Sequence, residues 1–305
     1  MAVANGVDGI DDAMTALVTE NKRMQQYGFT ASEYERAKAD FMKSIESAYN
    51  ERNNTENSKY FDACLDHFLT NEPMMGIEME YQLYQQIIPN LPLEAINQFA
   101  SQLIKNDNLV ITLSAPKKDG ETLPTEEELL AMYNNANAME VEPYQEEVFD
   151  GPIVPELPKP GTVKKETTNE TFGTTEWTLS NGMKVIYKQT DFKEDEIRMS
   201  AYSPGGLTAL PQEDPYTLQV LDNIITLGGV GEFSAIDLPK VLAGKKVRVA
   251  PYISTYSEGM SGSCSPKDLE TMLQLVYLYF TAPRADQEAF QSEIQRTQAM
   301  LKNME

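Results

Sequence analysis

The chain is predicted to be an α+β protein, with a helix-rich first part followed by an antiparallel sheet with helices on one face. Three observations carry this. Apolar residues recur at helical spacing through most of the first hundred residues. Five prolines (Pro143, Pro152, Pro155, Pro158, Pro160) then interrupt the chain, and beyond them Asn181-Gly182 joins two alternating segments as a two-residue hairpin.

Ile10, Met14, Leu17, Val18 and Met24 predict a first helix that Gly28 stops. Thr30-Ala-Ser-Glu33 reads as a capping box, because the threonine hydroxyl and the glutamate three residues on can satisfy each other's backbone amides. The helix it opens carries Tyr34, Phe41, Ile45 and Ala48 on one stripe. Further helices follow over Phe61, Leu65 and Phe68, from Tyr81 to Ile88, and from Leu93 to Ile104. The β-rich run 108–114 predicts a buried strand, and Thr125-Glu-Glu-Glu128 opens a helix through about Met139.

From about 140 to 171 the prolines alternate with acids, which predicts an extended connector with neither helix nor sheet, since proline lacks the amide donor and biases its predecessor to extended geometry. Ile153, Val154 and Leu157 could pin it to a surface. After it come the hairpin Thr175–Tyr187, a strand from Glu196 to Ser203, and a helix opened by Asp214-Pro215 with Leu218, Leu221, Ile224 and Ile225 as its stripe. Ser234-x-x-Asp237 caps a short helix closed by Gly244. Strands at 246–253 and 256–263 follow, then an apolar helix from Ser265-Pro266 to Phe280 with Tyr277 and Tyr279 in the core. A polar helix runs from Asp286 to the end.

Asp and Glu total 47 against 25 Lys and Arg, a net charge of −22. Such a surface repels phosphate backbones and anionic lipid, which argues against nucleic-acid binding. No apolar run reaches membrane-spanning length, so no membrane insertion is expected. The two cysteines, Cys64 and Cys264, form no disulfide framework.

The single histidine, His67, limits the chemistry most, because zinc hydrolase sites are usually built from two or three imidazoles. Cys64-x-x-His67 sets a thiol beside an imidazole, but with no further ligand cluster nearby the expectation is that Cys64 packs with Phe61, Leu65 and Phe68. Gly228-Gly-Val-Gly231 follows a helix rather than a strand and lacks a following Lys-Ser/Thr, so it reads as a tight turn, not a phosphate loop. Ser203 has no base to activate it. Glu126, Glu127 and Glu128 fall in a first helical turn, where they favour the macrodipole.

Phe172 to Gly206, and Gly231-Glu-Phe-Ser-Ala-Ile-Asp-Leu to Ala243-Gly-Lys245, resemble the pitrilysin (insulinase-type) zinc metallopeptidases, at the start of the second half of a long bacterial member. Tyr27-Gly-Phe-Thr-Ala-Ser-Glu-Tyr-Glu-Arg-Ala-Lys38, Ala48-Tyr-Asn-Glu-Arg52 and His67-Phe-Leu to Glu72-Pro73 extend the likeness over nearly the whole chain. The resemblance implies four similar α+β domains in two linked halves that close around a peptide. It implies that 1–139 is the C-terminal part of a second such domain, 140–171 the linker, and 172–305 the N-terminal part of a third.

The family's zinc motif, His-x-x-Glu-His, is absent here. In the helix that the resemblance equates with it, the three positions fall on Gln219, Asp222 and Asn223, whose amides and short carboxylate are poor substitutes for imidazole and a glutamate base. No metal ligand or catalytic residue is therefore expected in this chain, and zinc is expected only in the parent protein. The implied partners are a peptide or unfolded polypeptide and the parent's remaining domains; the implied location is the cell envelope or periplasm. The alternative is a complete, non-enzymatic pitrilysin-like binding or scaffold subunit.

Overall fold

The computed structural model describes every residue except 3, 5, 104–108, 116–119, 147, 148, 150, 211–223 and 305, and describes 299 and 302–304 by backbone alone. The chain divides into two compact units. One comprises Met1–Ala39, Gln86–Phe149 and Ala285–Glu305; the other comprises Asp40–Gln85 and Asp150–Arg284.

In the first unit, helix α1 (Ile10–Tyr27) packs on α5 (Leu93–Leu103) and α6 (Glu126–Ala138), with Ile10, Val18, Ala100 and Ala136 buried. Gly28 ends α1 at φ +71°, and its amide donates to the Met24 carbonyl at 2.9 Å. A Cβ there would lie 2.4 Å from Cγ of Asn97, whose amide group bonds both the N–H (2.8 Å) and the C=O (3.2 Å) of Phe29. The capping box follows: Thr30 N–H donates to Glu33 Oε2 at 2.8 Å and Glu33 N–H to Thr30 Oγ1 at 3.2 Å, opening α2 (Ala31–Asn50). Thr125 and Glu128 build the second box at α6.

The start of the predicted connector is laid along this unit. Arg23 Nε donates to the Glu142 carbonyl at 2.8 Å, Tyr27 to the Val141 carbonyl at 2.9 Å, and Arg36 pairs with the Glu146 carboxylate at 2.9 Å. Proline leaves these carbonyls free of ladder partners, so side chains from α1 take them, while α2 holds the connector through the Glu146 carboxylate.

The expected strand at 108–114 is corrected. Residue 108 lies outside the described residues, and 109–115 form no ladder, with Val110 82% exposed. A β-rich run becomes a strand only where a second strand accepts its bonds, and none among the described residues does.

The second unit contains the remainder of α2, α3 (Asn57–Thr70) and α4 (Ile77–Ile87). Tyr49 stacks on Tyr81 at 4.6 Å and Phe41 meets Tyr84 edge-on at 4.9 Å, joining α2 to α4. The packing expected of α3 is corrected: Cys64 is exposed, Phe61 is 65% and Phe68 83% exposed, and Leu65 lies open as well. The spacing correctly makes an apolar stripe, but no described element covers it.

The strands divide between two antiparallel three-stranded sheets rather than one. The first is a meander of β1 (Val163–Asn169), β2 (Thr174–Leu179) and β3 (Lys184–Tyr187). Gly182, at φ +89°, makes the expected β2–β3 turn, with its amide on the Leu179 carbonyl at 3.0 Å. β1 falls inside the stretch expected to be free of sheet. The connector's prolines end at Pro160, and from Val163 to Asn169 every residue has a backbone amide available for the ladder with β2. Of the three residues expected to pin the connector, Ile153 and Val154 are buried and Leu157 is exposed.

The second sheet has the order β4 (Ile197–Pro204), β6 (Ser257–Cys264), β5 (Val247–Ile253), with a short helix α7 (Asp237–Val241) before β5. Ser234 caps α7, its Oγ accepting the Asp237 amide at 3.1 Å. Helix α8 (Leu269–Thr281) covers one face of this sheet, burying Met272, Leu275 and Leu278 in the same unit as Val249, Met260 and Cys264. Tyr277 and Tyr279 are half-buried rather than core, and Phe280 is exposed. The polar helix α9 (Gln287–Met304) ends the chain.

Candidate functional site

The degenerate counterparts of the zinc motif, Gln219, Asp222 and Asn223, lie outside the described residues, as do Leu218 and Leu221 of the same expected helix. Around the glycines that follow, Val230 is fully buried and bridges to Phe233. Gly229 has φ +86°, and a Cβ there would lie 2.2 Å from the Phe233 carbonyl. That geometry is the expected tight turn. His67 lies near the end of α3 with Nδ1 2.6 Å from the Glu72 carbonyl, and Cys64 sits a turn earlier on the same exposed helix. Ser203 lies in β4 opposite Glu258 on β6. Glu126, Glu127 and Glu128 occupy the first turn of α6.

Two features of the second unit do bring functional groups together. The first is a polar brace between α2 and the β4–β6–β5 sheet. Lys246 Nζ donates to Ser47 Oγ at 2.7 Å and to the Asp195 carbonyl at 2.8 Å, and lies 3.4 Å from Asp195 Oδ2. Asp195 is only 4% exposed; its own amide donates to Glu51 Oε1 at 2.8 Å, and Asn50 Nδ2 reaches its carboxylate at 3.4 Å. A second knot joins Lys43 to Ser265 Oγ at 3.3 Å, with Ser265 Oγ donating to Asp268 Oδ2 at 2.6 Å. Lys267 pairs with Glu46. That hydrogen bond holds the Glu46 carboxyl below its ordinary value and the Lys267 ammonium above its own.

The second feature is the open face of the sheet. Cross-strand partners share a face, so Met199, Gly262 and Val249 lie together toward α8; a Cβ on Gly262 would lie 3.1 Å from Met272 Sδ. The adjacent row, Arg198–Ser263–Arg248, therefore lies on the opposite side. With Ser200, Ser261 and Glu196 it lines a shallow open depression of about 610 Å³. Arg198 pairs with Glu196, which lowers the Glu196 pKa and raises that of Arg198. Neither the brace nor the arginine row was expected from sequence. The available signal was alternation: Arg198 and Arg248 each precede an apolar residue in a strand, but only the register sets them in one row.

Among the described residues no group of three or more His, Cys, Asp or Glu is placed to hold a metal ion. No helix among the described residues is long and apolar enough to cross a membrane.

No protein-family model matches the chain. It is 32% identical over 270 residues to a zinc protease PQQL-like protein of Arabidopsis thaliana, a match covering 87% of this chain and 25% of that one. It is 24% identical over 278 residues to the probable zinc protease PqqL of Escherichia coli, a periplasmic protease, covering 88% of this chain and 29% of that one. The solved structure of the ferredoxin protease FusC, in complex with Arabidopsis ferredoxin, matches 97% of this chain and 33% of its own length at a TM-score of 0.52 and 17% identity, a likeness of fold. The chain thus spans a quarter to three tenths of the relatives it matches in sequence.

Zinc, which those relatives' names imply, does not fit the described residues: the one imidazole stands on an exposed helix outside any group of three or more ligating side chains, and the acids of the brace are each held by lysine or backbone amide. Over most of its length, this chain is similar in sequence to zinc proteases of the PqqL-like, pitrilysin (insulinase) type and corresponds to about a quarter of such a protein.

Proposed function

We propose that this chain is a non-catalytic portion of a zinc-dependent metalloendopeptidase, comprising the end of its second domain (1–139), the linker (140–171) and the start of its third domain (172–305). The parent hydrolyses peptide bonds with a zinc site outside this chain, and this portion links the two halves and helps enclose a peptide or unfolded polypeptide. The observation that carries this reading is the match of 87% of the chain to only a quarter of a zinc protease, in a sequence with one histidine. Gln219, Asp222 and Asn223 are the counterparts of the zinc motif and bind no metal. The open edges of the β4–β6–β5 sheet supply backbone groups to which an extended peptide can add as a strand. A cell-envelope or periplasmic location goes with the reading, by analogy with the periplasmic PqqL protein.

The test is metal analysis and peptidase assay of the purified 305-residue chain beside its parent protein. The chain should hold no stoichiometric zinc and cleave no peptide, while the parent holds one zinc and cleaves. Proteolysis by the chain alone, abolished by a chelator and restored by zinc, overturns the reading.

A further inference from the structure

The geometry points to the open face of the β4–β6–β5 sheet as a receptor for acidic side chains of an extended peptide, with Arg198 and Arg248 as the specificity-determining residues. This rests on the proposed role in enclosing peptide and adds the substrate class.

The charge pattern carries it. In a chain of net charge −22, one sheet face sets two arginines in a single cross-strand row, one on each outer strand, with Ser263 between them. Among the described residues Glu196 is the one acid lining this depression, and its carboxylate pairs with Arg198. The Arg248 side chain is exposed and makes no hydrogen bond or ion pair among the described residues, and the Arg198 side chain is 79% exposed. A structural arginine is usually matched by a carboxylate; among the described residues one guanidinium is unmatched and the other is engaged through Nε.

The floor fits the same ligand. Ser200, Ser261 and Ser263 offer hydroxyl groups between the two arginines, and Tyr202, two residues along β4 from Ser200, shares the face. Guanidinium matches a carboxylate with two parallel N–H donors, a geometry that lysine lacks. The arginines sit two strand spacings apart, roughly 10 Å; side chains that share a face of an extended peptide are two residues apart, about 7 Å, a difference that the long arginine arms span. At physiological ionic strength charges beyond about 8 Å are screened, so this local pair, not the net negative charge, governs what docks here.

The test uses the whole 305-residue chain and three fluorescein-labelled extended peptides that differ only at two positions two residues apart, filled with Glu, Gln or Lys. Binding is followed by fluorescence anisotropy for the natural chain, Arg248→Glu, and the double variant Arg198→Ala/Arg248→Ala. Both side chains are exposed, so unchanged circular dichroism and melting are expected of the variants. The Glu peptide should bind at least about ten-fold more tightly than the Gln and Lys peptides, and the preference should vanish in both variants. Equal binding of the Glu and Gln peptides overturns this inference while leaving the enclosing role intact. Selective binding that survives in the double variant also overturns it, as does failure of every peptide to bind. Zinc content and proteolysis, which decide the proposed function, are read independently.

Discussion

Replacing Lys246 with methionine removes the head group that ties α2 to the sheet and leaves the stem. The ammonium donates to Ser47 Oγ and the Asp195 carbonyl and faces the Asp195 carboxylate at 3.4 Å. Without it, a carboxylate only 4% exposed keeps one amide contact, from Asn50 at 3.4 Å. Breaking a fully buried pair from one side costs about 3–5 kcal/mol. The Lys246 side chain is 38% exposed, so water can partly replace it, and the expected loss falls to about 2 kcal/mol. Urea unfolding followed by the fluorescence of Trp177, the chain's one tryptophan and part of the same unit, reads this as a lower midpoint at unchanged slope. Pairing the change with Asp195→Asn should recover more than half of the loss, because the stranded charge is gone. A single variant within about 0.5 kcal/mol of the natural chain would refute the view that this contact braces the unit.

Three further outcomes follow from the same structure. Glu46 is held below its ordinary carboxyl pKa of 4.5, chiefly by Lys267, so its stabilisation is complete above that value and is lost as pH falls through the lower folded value; Glu46→Gln should flatten the acid limb of a stability–pH curve by lowering stability at neutral pH, while leaving strongly acidic pH nearly unaffected. Gly259 sits in the central strand where a Cβ would lie 2.0 Å from the Ala201 carbonyl, so Gly259→Ala should cost at least about 3 kcal/mol in a denaturant melt or prevent folding. Cys64 is exposed, whereas Cys264 is buried with its thiol pKa pushed up by desolvation, so a thiol reagent should label one cysteine at once and the second only in denaturant.

The parts legible in sequence were those whose determinants are local. Gly28, the Thr30–Glu33 and Thr125–Glu128 boxes, Ser234 and Asn181-Gly182 all act within a few residues of themselves, and each stands where the sequence puts it. The misreadings share one physical cause: they needed to know what lay opposite. β1 is a charged, threonine-rich run without apolar alternation, and it is a strand because β2 lies beside it. The 109–115 run has the composition without the partner. The stripe on α3 is amphipathic, but amphipathicity reports a face able to be buried, not a face that is. At the candidate site, Lys246 and Asp195 are 51 residues apart and Arg198 and Arg248 are joined only through β6, so charge alone in the sequence could not connect them.

The uncovered stripe of α3 gives the chain an unusual colloidal character. Phe61, Leu65 and Phe68 are sticky, while the excess of 22 negative charges keeps neighbouring molecules apart. Added salt shortens the reach of that repulsion from roughly 30 Å at 0.01 M to about 3 Å at 1 M, while leaving the greasy stripe untouched. Dilute, low-salt buffer is therefore the condition under which this polypeptide stays dispersed, and brine is where its molecules begin to clump through that helix.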